Sequence, residues 1–193
     1  MSTSMSIRSL SLAAAAAVVL LSGCSWTRDY QTVRVDPTYE SAANSKFIAT
    51  NRGAVNALTS GLEAYRASGA PVLVATMVNV NDLRRSAPLG RTLSEQYASA
   101  MVANGFNVKE IKLRGDVFVR EETGELILSR EIKDIAQVHS ASLVIVGTYS
   151  PATQHTYVSV KAVRTDTGQI VRGHDYALPN DVDVARLLQT PRF

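Results

Sequence analysis

Apolar positions along the chain follow three patterns. Leu10 to Leu21 is an almost unbroken, alanine-rich apolar run. From Ser45 the pattern becomes periodic. Phe47, Ile48, Val55, Leu58, Leu62 and Tyr65 recur at helical spacing, so residues 45–67 are expected to form one helix with these side chains on a shared face. Asn44 or Ser45 would cap its start, and Gly69 with Pro71 would end it. Gly53 and Gly61 weaken such a helix by about 1 kcal/mol each and suggest close packing against another element. Pro71 to Val78 is nearly continuous in apolar residues, as expected of a strand covered on both faces. A polar loop follows from Asn79 to Pro88. Leu89, Leu93, Tyr97 and Met101 then repeat every four residues, which predicts a second helix over 89–104 with Gly105 just past its end.

The third pattern is alternation. Phe106 and Val108, then Ile111 and Leu113, are out of phase by one, which predicts a strand over 106–113 with a bulge near Lys109. Apolar runs flank Glu122-Thr123-Gly124 and again Asp166-Thr167-Gly168, and glycine supplies the positive φ that hairpin turns require. Between these hairpins, residues 129–139 predict a third helix with Ser129 as N-cap and Ile132, Ile135 and Ala136 inward. Ala141 to Tyr149 is the most apolar strand and belongs at the sheet centre. Residues 169–177 should pair back on 156–163. Residues 180–188 suit a short closing helix that docks Leu187 and Leu188. Strands joined through helices should be parallel with right-handed crossovers, and the last three should form an antiparallel meander. The expectation is one α+β (or α/β) domain with a mixed parallel and antiparallel sheet packed with helices.

The first apolar run has a different use. At about a dozen residues it is too short for a bilayer, which needs about 20. Arg8 and the amino terminus precede it, and Leu21-Ser22-Gly23-Cys24 closes it with the residue types of a bacterial lipobox. A thiol that accepts a diacylglyceryl group, with small residues before it to lie extended in a peptidase groove, needs that order. Residues 1–23 therefore read as a lipoprotein signal peptide and Cys24 as the lipidated first residue of the mature chain. An ordinary signal peptide or a buried alanine-rich helix are the alternatives, but alanine cleavage sites at 13–17 would fall inside the apolar run. Two or more acyl chains anchor a protein stably. Ser25, where aspartate tends to retain enterobacterial lipoproteins in the inner membrane, favours the outer membrane with the domain facing the periplasm. Residues 24–44 read as a lipidated tether with Pro37, although Thr32-Val33-Arg34-Val35 also suits a short extended piece. Residues 45–190 form the domain.

Composition narrows the chemistry. Twenty Lys and Arg against seventeen Asp and Glu give a net charge of +3 with the signs interspersed, which argues against nucleic acid as a partner. A lone cysteine excludes an internal disulfide and a multi-cysteine metal site. Asp166-Thr167-Gly168 matches the aspartic-protease tripeptide, but that chemistry needs a second carboxylate to share a proton. At an exposed turn tip Asp166 has no reason to shift its pKa, and the turn reading prevails. His139, His155 and His174 lack ligand spacing and would hold zinc only if the fold gathered them with a carboxylate. A hydrolase or metalloprotein using His155 or His174 is the enzymatic alternative. No Gly-x-Ser-x-Gly elbow or glycine-rich phosphate loop is present. Arg114-Gly115-Asp116 reads as a turn. No residue is assigned to catalysis, to a cofactor or to a metal. Arg84, Arg85 and Arg91 surround one loop and suit anionic lipid headgroups, peptidoglycan carboxylates or an acidic partner, or else form a solvated face. Tyr149, Tyr157 and Tyr176 would suit a protein interface if they shared a sheet face.

Three segments carry a family resemblance: Pro71-Val-Leu-Val-Ala-Thr-Met-Val-Asn-Val, Leu89-Gly-Arg-Thr-Leu-Ser-Glu-Gln, and Leu143-Val-Ile-Val-Gly-Thr-Tyr with Val163-Arg-Thr-Asp-Thr-Gly-Gln-Ile-Val. Lys112-Leu113-Arg114-Gly115-Asp116 is compatible with the same pattern. Over Pro71 to Pro179 the chain resembles the FlgO domain of bacterial outer-membrane lipoproteins, which is itself similar to the amino-terminal domain of TolB and to CsgG. The resemblance implies a non-enzymatic outer-membrane lipoprotein that supports the flagellum and motility through envelope or flagellar protein partners, with no cofactor. It carries over a single residue role, lipidation at Cys24. A CsgG-like or TolB-like assembly or secretion component, or an accessory to cell-wall synthesis, is the alternative function. An oligomer is compatible with either.

Overall fold

The computed structural model describes residues 37–43, 45–83, 86–111, 118–120, 126–128 and 130–189. The expected signal peptide, Cys24, most of the tether, Arg84, Arg85, the Arg114-Gly115-Asp116 and Glu122-Thr123-Gly124 turns and the Ser129 cap lie outside the described residues. In chain order the helices are α1 (Tyr39–Ala43), α2 (Lys46–Thr59), α3 (Glu63–Ser68), α4 (Pro88–Ala103), α5 (Arg130–Val138) and α6 (Val182–Leu188). The strands are β1 (Val72–Ala75), β2 (Val78–Asn79), β3 (Val108–Ile111), β4 (Phe118–Arg120), β5 (Leu126–Leu128), β6 (Leu143–Pro151), β7 (His155–Arg164) and β8 (Ile170–Pro179).

A six-stranded sheet runs β3-β1-β6-β7-β8, with β2 added beside the far end of β6. β1 is parallel to β3 and β6, and β6, β7 and β8 form an antiparallel meander. The most apolar strand, β6, is central as its composition predicts. β4 and β5 pair with each other as a separate antiparallel hairpin. The fold is therefore α+β, a mixed sheet with helices on both faces. On one face α2 lies over β7 and β8 and against α4, which covers β1 and β3 and touches α6. Leu58, Leu89, Leu93, Tyr97 and Met101 are wholly buried there against Val72, Val74, Leu143 and Ile145. On the other face Ile132 and Ala136 of α5 close over Leu73, Ala75, Val144 and Val146, with Ile135 partly buried beside them. The short α6 is capped by the Asp181 carboxylate, which accepts from Val184 N–H at 2.8 Å, and it docks Val184, Leu187 and Leu188 on the first core.

Several local expectations change. The helix expected over 45–67 is two helices, because the chain leaves helical geometry after Thr59 and Gly61 takes φ +88°. The turn keeps Leu62 buried at the head of α3, so the apolar period survives a break in the backbone. Ser45 does cap α2, accepting from Phe47 N–H at 3.2 Å, but Ile48 is exposed rather than inward. Gly53 has open space around it and marks no packing, whereas Gly61 takes a positive φ and packs against the Arg172 guanidinium of β8, 3.6 Å from where a Cβ would lie. The strand expected over 71–78 is likewise two pieces, because side chains claim the backbone polar groups of Met77, as shown below. The bulge expected near Lys109 is absent, and the β1–β3 register is regular from Val72↔Val108 to Ala75↔Ile111. Val108 packs on the helix-covered core and Ile111 on the core beneath α5, so the change of phase reflects burial on both faces. A register shift occurs instead between Ala162 and Val163. Finally, the last residues of the expected tether form α1.

Candidate partner-binding site

The arginine-bearing loop leaves the sheet between β2 and α4, and its base is tied down by side chains. Ser94 in α4 is buried, and its Oγ accepts from Met77 N–H at 2.8 Å while donating to the Gly90 carbonyl at 2.8 Å. Ser86 Oγ donates to the Met77 carbonyl at 2.9 Å. Met77 can therefore leave the strand ladder with both backbone groups satisfied. Its side chain lies over Gly147 of β6, where a Cβ would meet Met77 Cγ and Sδ at 3.0 Å. Tyr149 reaches up from β6 and its hydroxyl oxygen accepts from Ala87 N–H at 2.8 Å. Burial raises the Tyr149 pKa, partly offset by that bond. Gly90 fills the remaining space, since a Cβ there would run into the Met77 carbonyl. Arg91 projects from the first turn of α4, and its Nη1 donates to the Ser86 carbonyl at 3.2 Å. It braces the loop base, while Arg84 and Arg85 lie outside the described residues.

A second feature was not visible in the sequence. A concavity of about 560 Å³ opens between α2 and α4, lined by Ile48, Arg52, Thr92, Glu95, Gln96 and Ala100 among others. Arg52 and Glu95 are engaged by no hydrogen bond or ion pair among the described residues. Beneath it a polar chain joins three elements. Tyr176 of β8 donates to Asn51 Oδ1 at 2.8 Å, and Asn51 Nδ2 donates to Gln96 Oε1 at 2.6 Å. Tyr97 is fully buried beside this chain with an unpartnered hydroxyl among the described residues. Burial raises its pKa, with the neighbouring Tyr176 adding to the rise. Burial also pushes Tyr176 up to about 12. Buried polar residues at helical spacing, Asn51 and Ser94, were the available signal, but nothing local distinguishes them from surface positions.

The remaining candidates are dispersed. His155 begins β7 and is exposed, His139 follows α5, and His174 stacks on Tyr176 with ring centroids 6.0 Å apart. Among the described residues, no three His, Cys, Asp or Glu side chains are placed to hold a metal ion. Asp166 sits in the β7–β8 turn, and contrary to expectation its pKa is shifted. Hydrogen bonding to Arg164 lowers it, with Thr167 N–H assisting. That is the opposite of what a proton-sharing carboxylate needs. The three tyrosines do not share a face: Tyr149 and Tyr176 point into the helix-covered core, while Tyr157 is 57% exposed on the opposite face. No described helix is long and apolar enough to cross a membrane. The polar groups here hold backbone in place.

A family model described as FlgO protein matches residues 52–183, which takes in α4, α5 and the whole six-stranded sheet. No curated protein matches the chain significantly. Among solved structures, the chain is similar to the LpoB C-terminal domain from Salmonella enterica, with 16% identity and a TM-score of 0.48 over 66% of this chain and 97% of that one. It is also similar to the PelC dodecamer from Paraburkholderia phytofirmans (13% identity, TM-score 0.41, 58% of this chain and 72% of that one). A third likeness is to lipoprotein GNA1162 from Neisseria meningitidis (13% identity, TM-score 0.39, 59% of this chain and 85% of that one).

Proposed function

The chain belongs to the FlgO protein family, and from that premise we propose that it is a non-enzymatic outer-membrane lipoprotein that braces an envelope assembly, the flagellum in the first place. Family membership carries the reading, because the match spans nearly all of the folded part; the lipobox-like residues that end at Cys24, ahead of the matched region, supply the anchor in this reading. In this proposal residues 1–23 are removed, residues 24–44 hold the domain off the membrane, and residues 45–190 face the periplasm and meet the partner. The side-chain chemistry supports a binding role. The buried hydroxyls of Ser94 and Tyr149 rigidify a loop base, and among the described residues the charges of Arg52 and Glu95 have no partner on the helix layer.

The test is deletion of the gene, with swimming scored on soft agar and flagella counted by electron microscopy. Loss of swimming or of stable flagella, restored by the intact gene, is expected. Normal flagella and normal swimming would overturn the flagellar role. Crosslinking from the Arg84-Arg85 loop that recovered a cell-wall synthase and no flagellar protein would move the assignment to a cell-wall accessory.

A further inference from the structure

Among the described residues, the sheet face beneath α5 is covered only in part. Val144 and Val146 of β6 lie under α5, and strand alternation puts Thr148 and Ser150 on that same face. The register extends them across the meander into two rows, Thr148–Ser159–Asp175 and Ser150–Tyr157–Ala177. These six residues line a concavity of about 540 Å³. Tyr157 is 57% exposed there, and Asp175 and Ala177 are exposed. Among the described residues, none of the side chains of Thr148, Ser150, Tyr157, Ser159 or Asp175 is hydrogen-bonded or ion-paired.

The geometry points to a glycan site. We propose that these two rows bind the glycan strand of the cell wall, with the Tyr157 ring against the apolar face of a sugar and the hydroxyls and carboxylate bonded to its polar rim. Size decides against a protein occupant. Three strands about 4.8 Å apart and two rows about 7 Å apart form a platform on the order of 150 Å². A stable protein interface needs about 800 Å² from each partner. Charge decides against an anion. Asp175 stands on the platform itself, while Lys161 lies one row away opposite Gly173, so the patch is balanced and suits a neutral, hydroxyl-rich ligand. Hydroxyl groups both donate and accept, a carboxylate accepts twice, and an amphipathic ring offers area with little entropy loss, which together match a pyranose. The scaffold is rigid, because β7 is hydrogen-bonded on both sides. The choice of cell-wall glycan over another sugar rests on the periplasmic lipoprotein reading above.

The full-length lipoprotein in detergent micelles is mixed with purified sacculi and sedimented. Expected results are co-sedimentation with intact sacculi, binding in calorimetry to the soluble, peptide-free glycan strands that an amidase releases from them, and competition by a soluble N-acetylglucosamine tetramer. Tyr157→Ala and the isosteric Asp175→Asn should each weaken binding by about tenfold. Lys46→Ala at the exposed start of α2, on the opposite face, should leave it unchanged, and circular dichroism checks that each variant is folded. Absence of wild-type binding, loss of binding with the stem peptides, or wild-type binding by both variants would overturn the site. Membrane fractionation fails separately: protein outside the envelope would overturn the lipoprotein reading whatever the sacculus result.

Discussion

At the scale of single residues, the side chains that matter most are polar and hidden. Tyr176, Asn51 and Gln96 pass one hydrogen bond to the next from β8 to α2 to α4, so a strand and two helices share a polar seam inside an apolar layer. Burial holds the Tyr176 pKa at about 12, above its ordinary value of 10.0. Below about pH 10 the folded and unfolded chains both keep this proton, and the full stability is present. As pH rises from about 10 through 12 the unfolded chain loses the proton first, and stability falls. Chemical denaturation over that window should therefore show a falling midpoint, and Tyr176→Phe should flatten part of the slope. Tyr97 and Tyr149, raised in the same direction by burial, contribute to the remainder. At neutral pH the same variant should cost about 1–3 kcal/mol, because buried Asn51 loses its donor. Identical slopes for the two proteins would count against the seam.

At the scale of elements, the join between the sheet and α4 governs the arginine loop. The start of α4 presses directly on the Met77 carbonyl, and only a residue without a Cβ fits at Gly90. Gly90→Ala would normally favour a helix by about 1 kcal/mol. Here the overpacking reverses the sign, and a net loss of about 1–3 kcal/mol is expected in thermal or urea unfolding. The Ser94 and Ser86 contacts to Met77 should be strained by the same change, since both tie Met77 to α4 or to the residues just before it. A Gly90→Ala variant as stable as the parent would show that the helix can slide without cost. The break between α2 and α3 illustrates the reverse case, in which an element is cut while its buried face continues through Leu62.

At the scale of the whole molecule, the proposal couples an anchor to a folded domain. The Cys24→Ala variant has no thiol to acylate, and peptidase cleavage depends on that acylation. Palmitate labelling should disappear, and the protein should shift to a soluble fraction or keep its unprocessed length on a gel. Unchanged labelling and outer-membrane fractionation would overturn the lipobox assignment. The domain then presents two surfaces on opposite sides of the sheet. The α2–α4 concavity carries Arg52 and Glu95, unpaired among the described residues, and the rows around Tyr157 carry hydroxyls and one carboxylate.

The alternation and helical periods of this chain determined by themselves where most elements lie, that β6 is central, and that the meander closes on α6, because burial of one face is written into residue spacing. The family likeness was equally legible, since its motifs are local strings. What only the tertiary structure decided concerns pairs of residues far apart in sequence. Met77 leaves its strand because Ser94 and Ser86 capture its backbone. The apparent bulge near Lys109 dissolves once each face of β3 has its own core. Tyr157 parts from Tyr149 and Tyr176 because the register sets Tyr149 opposite Val158 and Val158 opposite Tyr176, which leaves the adjacent Tyr157 on the other layer. A sequence states which residues prefer burial, whereas the packing partner that satisfies a backbone group or leaves a hydroxyl free is a property of the folded chain.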